Sequence, residues 1–119
     1  MLTASCHCGA VCLQVAVLPA TLTVCNCSTC RRYAARWAYY TREQVTFTCQ
    51  PGAFSSYIWG DRMIEFCHCT TCGCLTHYED VEKDPGSRVA LNANMLPPEE
   101  IRHLPLRKFD GADSWKVIE

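Results

Sequence analysis

Ile64-Glu65-Phe66-Cys67-His68-Cys69-Thr70-Thr71-Cys72-Gly73-Cys74-Leu75-Thr76-His77-Tyr78 packs four thiols into eight residues between two β-rich flanks. Strand, knot, strand is the simplest reading, with the cysteines closing a strand end. Two more knots lie upstream, Cys6-His7-Cys8 and Cys25-Asn26-Cys27-Ser28-Thr29-Cys30, so nine of the eleven cysteines are clustered. Disulfide scaffolds spread their cysteines to staple distant segments, and an odd total would leave one thiol over. Clustered thiols instead suit a tetrahedral ion at about 2.3 Å from each sulfur. Cys12 and Cys49 lie outside the knots, in β-rich stretches, and read as small packing residues.

Two tetrahedral ions take at most eight protein ligands, so nine clustered thiols leave at least one spare. Spacing leaves two partitions open. In the local one, each Cys-x-Cys-x-x-Cys run holds its own ion, with Cys6 and Cys8 adding one ligand to each. In the long-range one, Cys6 and Cys8 join Cys69 and Cys72 in a closed site, and Cys25, Cys27 and Cys30 form an open one. The polar neighbours His7, Asn26, Ser28, Thr29, Thr70 and Thr71 favour zinc over a shielded iron centre. His7 and His68 read as supporting groups beside the thiols, and His77 and His103 as surface or packing residues.

Around the knots the pattern is mainly β. Residues 10–17 alternate, 37–41 and 44–49 are β-rich, 53–59 carries three aromatics before a Gly60-Asp61 turn, and 88–91 and 104–109 complete the strands. Two helical turns are expected, one from Cys27 to Arg32 and one at Pro98-Glu99-Glu100-Ile101-Arg102, where proline and acids stand at the start. A helix start favours anionic sulfur, which places the second knot where a thiolate is stabilised.

Forty-nine per cent hydrophobic and 19% charged residues describe a globular chain, and 119 residues fit one domain spanning 1–119. A net charge of −1 argues against a nucleic-acid footprint, and Arg31, Arg32 and Arg36 read as a solvated face. With no apolar leader and no span of about 18 apolar residues, the expectation is a cytoplasmic protein off the membrane, where thiols stay reduced.

Ser5-Cys6-His7-Cys8-Gly9-Ala10-Val11, Cys25-Asn26-Cys27-Ser28-Thr29-Cys30-Arg31-Arg32 and Cys69-Thr70-Thr71-Cys72-Gly73, in that order, resemble the glutathione-dependent formaldehyde-activating enzyme family, which includes centromere protein V. The resemblance implies a β-tent zinc fold of small antiparallel sheets, shared with a Rab-binding zinc protein, and two Zn2+ per chain. It favours the long-range partition: Cys6, Cys8, Cys69 and Cys72 match the structural zinc ligands, and Cys25, Cys27 and Cys30 the catalytic ones. It also implies a carbon–sulfur lyase that joins formaldehyde to glutathione as S-hydroxymethylglutathione. His68 stands where the family commonly has phenylalanine, and Cys67 and Cys74 are extra thiols.

For a thiol substrate bearing carboxylates, Arg31 and Arg32 beside the second knot are the candidate counter-ions. Trp37, Tyr39 and Tyr40 read as core or ladder residues of a strand rather than as a pocket wall. A small-molecule thiol-adduct enzyme and a zinc-stabilised protein-binding module are the two leading expectations, the second with an unidentified protein partner.

Overall fold

The structure, a computed structural model, describes residues 1–118. Ten strands form: β1 (Leu2–Ser5), β2 (Val11–Val15), β3 (Leu22–Cys25), β4 (Trp37–Thr41), β5 (Val45–Cys49), β6 (Phe54–Ile58), β7 (Ile64–Cys69), β8 (Leu75–Asp80), β9 (Arg88–Asn92) and β10 (Leu106–Phe109). Helices are two single turns, α1 (Cys30–Tyr33) and α2 (Pro98–Ile101), with 3-10 turns at Arg42–Gln44 and Ala93–Met95. The protein is thus mostly β. Among the described residues no helix is long and apolar enough to cross a membrane.

Alternation builds the inner faces. Val11, Leu13 and Val15 of β2 are buried while Cys12 and Gln14 between them are half-exposed. Strands β1, β2 and β5 form an antiparallel three-stranded sheet. The other seven run in the order β10-β3-β4-β9-β8-β7-β6, antiparallel except for the parallel pair of β10 with β3. Both faces of the central strands of this larger sheet are buried. Ala38, Tyr40, Val89 and Leu91 pack toward the small sheet and α2, while Trp37, Phe66, Tyr78 and Ala90 face a second cluster that includes Cys30 of α1.

β1 and β3 were not among the expected strands. Each has four residues, too few to display a period. β3 has its neighbours only through tertiary pairing, with Thr23 opposite Trp37 and Leu22 through Cys25 opposite β10. The strand expected at 63–66 begins at Ile64 and continues through Cys69, so the third knot lies partly within β7 rather than wholly beyond its end.

The first and third knots share a local device. Gly9 (φ +85°) and Gly73 (φ +79°) each follow the last paired cysteine, and each turns its N–H back to the first: Gly9 N to Cys6 O at 3.1 Å, Gly73 N to Cys69 O at 3.0 Å. That left-handed backbone is open to glycine at little cost. The two knots are carried by different sheets, β1–β2 in one and β7–β8 in the other, and meet in space.

Candidate functional site

Two thiol clusters result. The sulfurs of Cys6, Cys8, Cys69 and Cys72 all lie within 4.8 Å of one another, and so do those of Cys25, Cys27 and Cys30. In the first cluster Cys6 Sγ to Cys8 Sγ is 3.7 Å and Cys8 Sγ to Cys69 Sγ is 3.6 Å. Four sulfurs at about 2.3 Å from a tetrahedral ion stand about 3.8 Å apart, close to these two separations. Disulfides are absent among the described residues.

Backbone N–H groups are aimed at the sulfurs. Val11 N donates to Cys6 Sγ at 3.3 Å, and Thr71 N and Cys72 N donate to Cys69 Sγ at 3.3 and 3.4 Å. Cys30 N, opening α1, donates to Cys27 Sγ at 3.3 Å. Such bonds favour the charged form of sulfur. Hydrogen bonds from the N–H groups of Cys74 and Cys8 draw the Cys72 thiol down to about 5. In the second cluster the Cys30 thiol bonded to Cys25 draws Cys25 down to about 6, with the N–H groups of Cys27 and Gly111 adding to it, while Cys30 itself is pushed well up.

Cys74 stands beside the first cluster, its sulfur bonded to Cys72 and to the His7 N–H. His68 turns away from the thiols to Ser55 Oγ, 3.0 Å from its Nε2, so the supporting role expected of it is not the one it has. His77, expected as a surface or packing residue, is fully buried and hydrogen-bonded. Cys12 and Cys49 are half-exposed rather than sealed in the core.

The second cluster has three thiols and borders a cavity of about 570 Å³. Trp37, Tyr39, Phe66, Tyr78, Phe109 and Trp115 line it. Trp37 and Tyr39 therefore do form a pocket wall, because alternate residues of β4 face away from the small sheet; Ala38, between them, and Tyr40, after them, point to that sheet, and Tyr40 Oη donates to Val17 O. The indole Nε1 of Trp37 is buried without a hydrogen-bond partner, an orphan donor in the cavity wall.

Arg31 and Arg32 do not line this cavity. Arg31 is exposed, and Arg32 donates back to Ser28 O at 2.7 Å, because the single turn of α1 directs both away from the sulfurs. Arg88 and Arg107 line it instead. Arg88 stacks on Tyr39, 4.5 Å from the ring centroid, and Arg107 donates to Thr23 Oγ1 at 3.1 Å. Neither could be found from spacing, since each reaches the cluster through long-range strand pairing, Arg88 opposite Thr41 and Arg107 opposite Thr23.

The C-terminal segment straps the second knot. Asn26, between Cys25 and Cys27, donates to Asp110 Oδ1 at 3.0 Å and accepts from Ala112 N at 3.0 Å. Gly111 lies so close that a Cβ there would come 2.6 Å from Cys25 Sγ. Asp110 is held below the usual carboxylate range by its bonds from Asn26 and Ser114.

Residues 1–102 match the family model described as glutathione-dependent formaldehyde-activating enzyme. A structural-genomics crystal structure of a Rhodobacter sphaeroides protein superposes with a TM-score of 0.72 at 27% identity, over 88% of this chain and 99% of that one. No curated protein matches the chain.

Proposed function

Since this chain belongs to the glutathione-dependent formaldehyde-activating enzyme family, we propose that it is a zinc-dependent, carbon–sulfur lyase-type enzyme that forms or breaks adducts between a small thiol and an aldehyde. In this reading residues 1–119 are one zinc-binding domain working in the cytoplasm. Cys6, Cys8, Cys69 and Cys72 hold a structural zinc, and Cys25, Cys27 and Cys30 hold a second, open one. The observation that carries it is the pairing of a three-thiol cluster with an aromatic cavity bearing two arginines.

Cys25, Cys27 and Cys30 would hold the ion, which would supply a Lewis acid that favours the thiolate form of a substrate sulfur. A free thiol of pKa about 8.5 is about 3% ionised at pH 7, so full ionisation gains roughly thirtyfold. Orientation is worth more, up to about 7–11 kcal/mol in well-aligned cases, and that is the task of the cavity. Arg88 and Arg107 pair with substrate carboxylates, as glutathione has, and the aromatic walls hold its backbone and exclude water. Addition then balances simply. The S–C bond forms as the carbonyl π bond breaks, and the proton lost by the thiol ends on the new hydroxyl.

The test is zinc content and hydroxymethyl-thiol formation on one sample. Protein loaded with zinc should speed formation of the glutathione–formaldehyde adduct, followed by 13C NMR exchange, and Cys27→Ser should abolish that acceleration with the fold intact. Equal rates with and without protein would leave the second reading, a zinc-stabilised protein-binding module, which the exposed Trp115 and Val117 at the cavity rim favour.

A further inference from the structure

A third group of donors lies apart from both clusters, on the face of β7 and β8 opposite the aromatic cavity. Cys67 and His77 are direct cross-strand partners, and Glu79 is two residues on from His77. Cys67 and His77 are fully buried and Glu79 is 4% exposed. The ligand atoms of the three lie within 4.8 Å of one another, with His77 Nε2 3.3 Å from Glu79 Oε2 and Cys67 Sγ 4.0 Å from the same oxygen.

Thr76 sets the hydrogen-bond order around this group. Register slips between Cys67 and His68, leaving Thr76 as the unpaired residue of β8. Its hydroxyl is 3.2 Å from Cys67 O, which can only accept, so the hydroxyl hydrogen goes there. The same Thr76 oxygen is 2.7 Å from His77 Nδ1 and, with its hydrogen on Cys67 O, accepts from it. In that tautomer His77 turns its Nε2 lone pair toward the carboxylate oxygen 3.3 Å away, an arrangement that an ion between them satisfies. The Cys67 thiol has only contacts at the far limit for sulfur, 3.8 Å to Glu65 O and 4.0 Å to Glu79.

We infer that Cys67 Sγ, His77 Nε2 and Glu79 Oε2 form a third metal site, for a divalent cation of the zinc class. An ion at about 2.0–2.3 Å from nitrogen, oxygen and sulfur sets its donors roughly 3.3–3.8 Å apart, close to the spacing present. It bonds both facing lone pairs and gives the thiol a partner. Thiolate and carboxylate neutralise the dication, and Arg42, paired with Glu79 through Oε1, leaves Oε2 free for it. Thr76 fixes the tautomer from behind, as partners of metal-bound imidazoles do. The rings of Phe47 and Phe54, each 5.1 Å from that of His77, wall the site. The ion would be captured as β7 and β8 pair, because only that register brings the donors together. This inference stands independently of the proposed function.

Metal counting tests it. Zinc-saturated, gel-filtered wild-type protein should carry one equivalent more per chain than His77→Gln, and one more than Cys67→Ser. His77→Gln combined with Cys27→Ser should lose two, showing independent sites. Equal metal in wild type and a folded His77→Gln overturns the inference. Should the variants fail to fold, a long-range 1H–15N spectrum of the wild type decides. A protonated Nδ1 with an Nε2 resonance that moves between the zinc and cadmium forms supports a metal bond. Protons on both ring nitrogens, or an Nε2 indifferent to the metal, leave an imidazolium or bare histidine and overturn it.

Discussion

Two positions at the second cluster have effects out of proportion to their size. Gly111 is tolerated only as glycine, because a Cβ would stand 2.6 Å from Cys25 Sγ, inside any real carbon–sulfur contact. Gly111→Ala should therefore push the C-terminal strap off the thiols. The expected result is weakened metal retention at the second cluster with an unchanged far-ultraviolet circular dichroism spectrum; tight retention in a chelator titration would show that the strap is not needed. Arg107 offers a different readout. A charge-assisted hydrogen bond is worth about 1.5–3 kcal/mol, so Arg107→Ala should weaken binding of a carboxylated thiol by roughly ten- to a hundredfold. Zinc content should stay the same, and an uncharged thiol such as mercaptoethanol should bind as before. Isothermal titration with both thiols separates loss of the anchor from general damage.

Single turns and loops, rather than whole helices, hold the second knot. α1 is one turn, ended by Ala34 in the left-handed region (φ 54°), and its contribution is the Cys30 N–H on Cys27 Sγ. That leaves the three thiols unequal. With the Cys30 thiol donating to it, Cys25 sits near 6, whereas Cys30 is pushed well up. At pH 7 Cys25 is ionised in the metal-free cluster, and it is protonated as the pH falls through about 6. Protein freed of its second-cluster metal should be alkylated by iodoacetamide at Cys25 before Cys30, with the Cys25 rate falling below about pH 6, as followed by peptide mass spectrometry. Matching rates at the two sulfurs would mean the hydrogen-bond order is different. β10 and its following turn are the other decisive element, since Phe109, Trp115 and Val117 of the cavity all lie beyond the family-matched residues 1–102. Truncation after Pro105 should keep zinc at the first cluster and lose thiol selectivity.

Across the whole molecule, the first cluster joins the turn of the small sheet to the turn of the large one. Its thiols come from residues more than 60 positions apart, Cys8 to Cys69 among them. A metal there would close a long loop and hold the two sheets together. Structural zinc in small domains binds with about 10–16 kcal/mol, against a total stability of about 5–15, so a missing ligand exceeds what the core can absorb. Cys72→Ala and Cys6→Ala should each give unfolded or insoluble protein. Mild chelation of the wild type should instead remove the second-cluster ion first and leave Trp37, fully buried under the cavity, in a native emission environment. Release of all metal in one step, together with a red-shifted Trp37 emission, would mean both clusters are structural.

Much of this was legible in order along the chain, because its causes are local. Cys-x-x-Cys spacing, the glycines that follow the paired cysteines, the alternation of residues 11–15, and proline followed by acids at α2 each act within a few residues. The family resemblance rested on the same three short knots. Pairing across the chain decided the rest. Which sulfurs meet depends on two hairpins of different sheets converging, and spacing alone is equally compatible with the local partition. Arg88 and Arg107 reach the second cluster, while the neighbouring Arg31 and Arg32 turn away, because strand register and the single turn of α1 set their directions. His77 reads in sequence as an isolated histidine. Glu79 shares its face because alternate residues of β8 do, but only the pairing of β7 with β8 places His77 opposite Cys67, since a sheet juxtaposes residues of different strands by hydrogen-bond pairing, which no stretch of one strand contains.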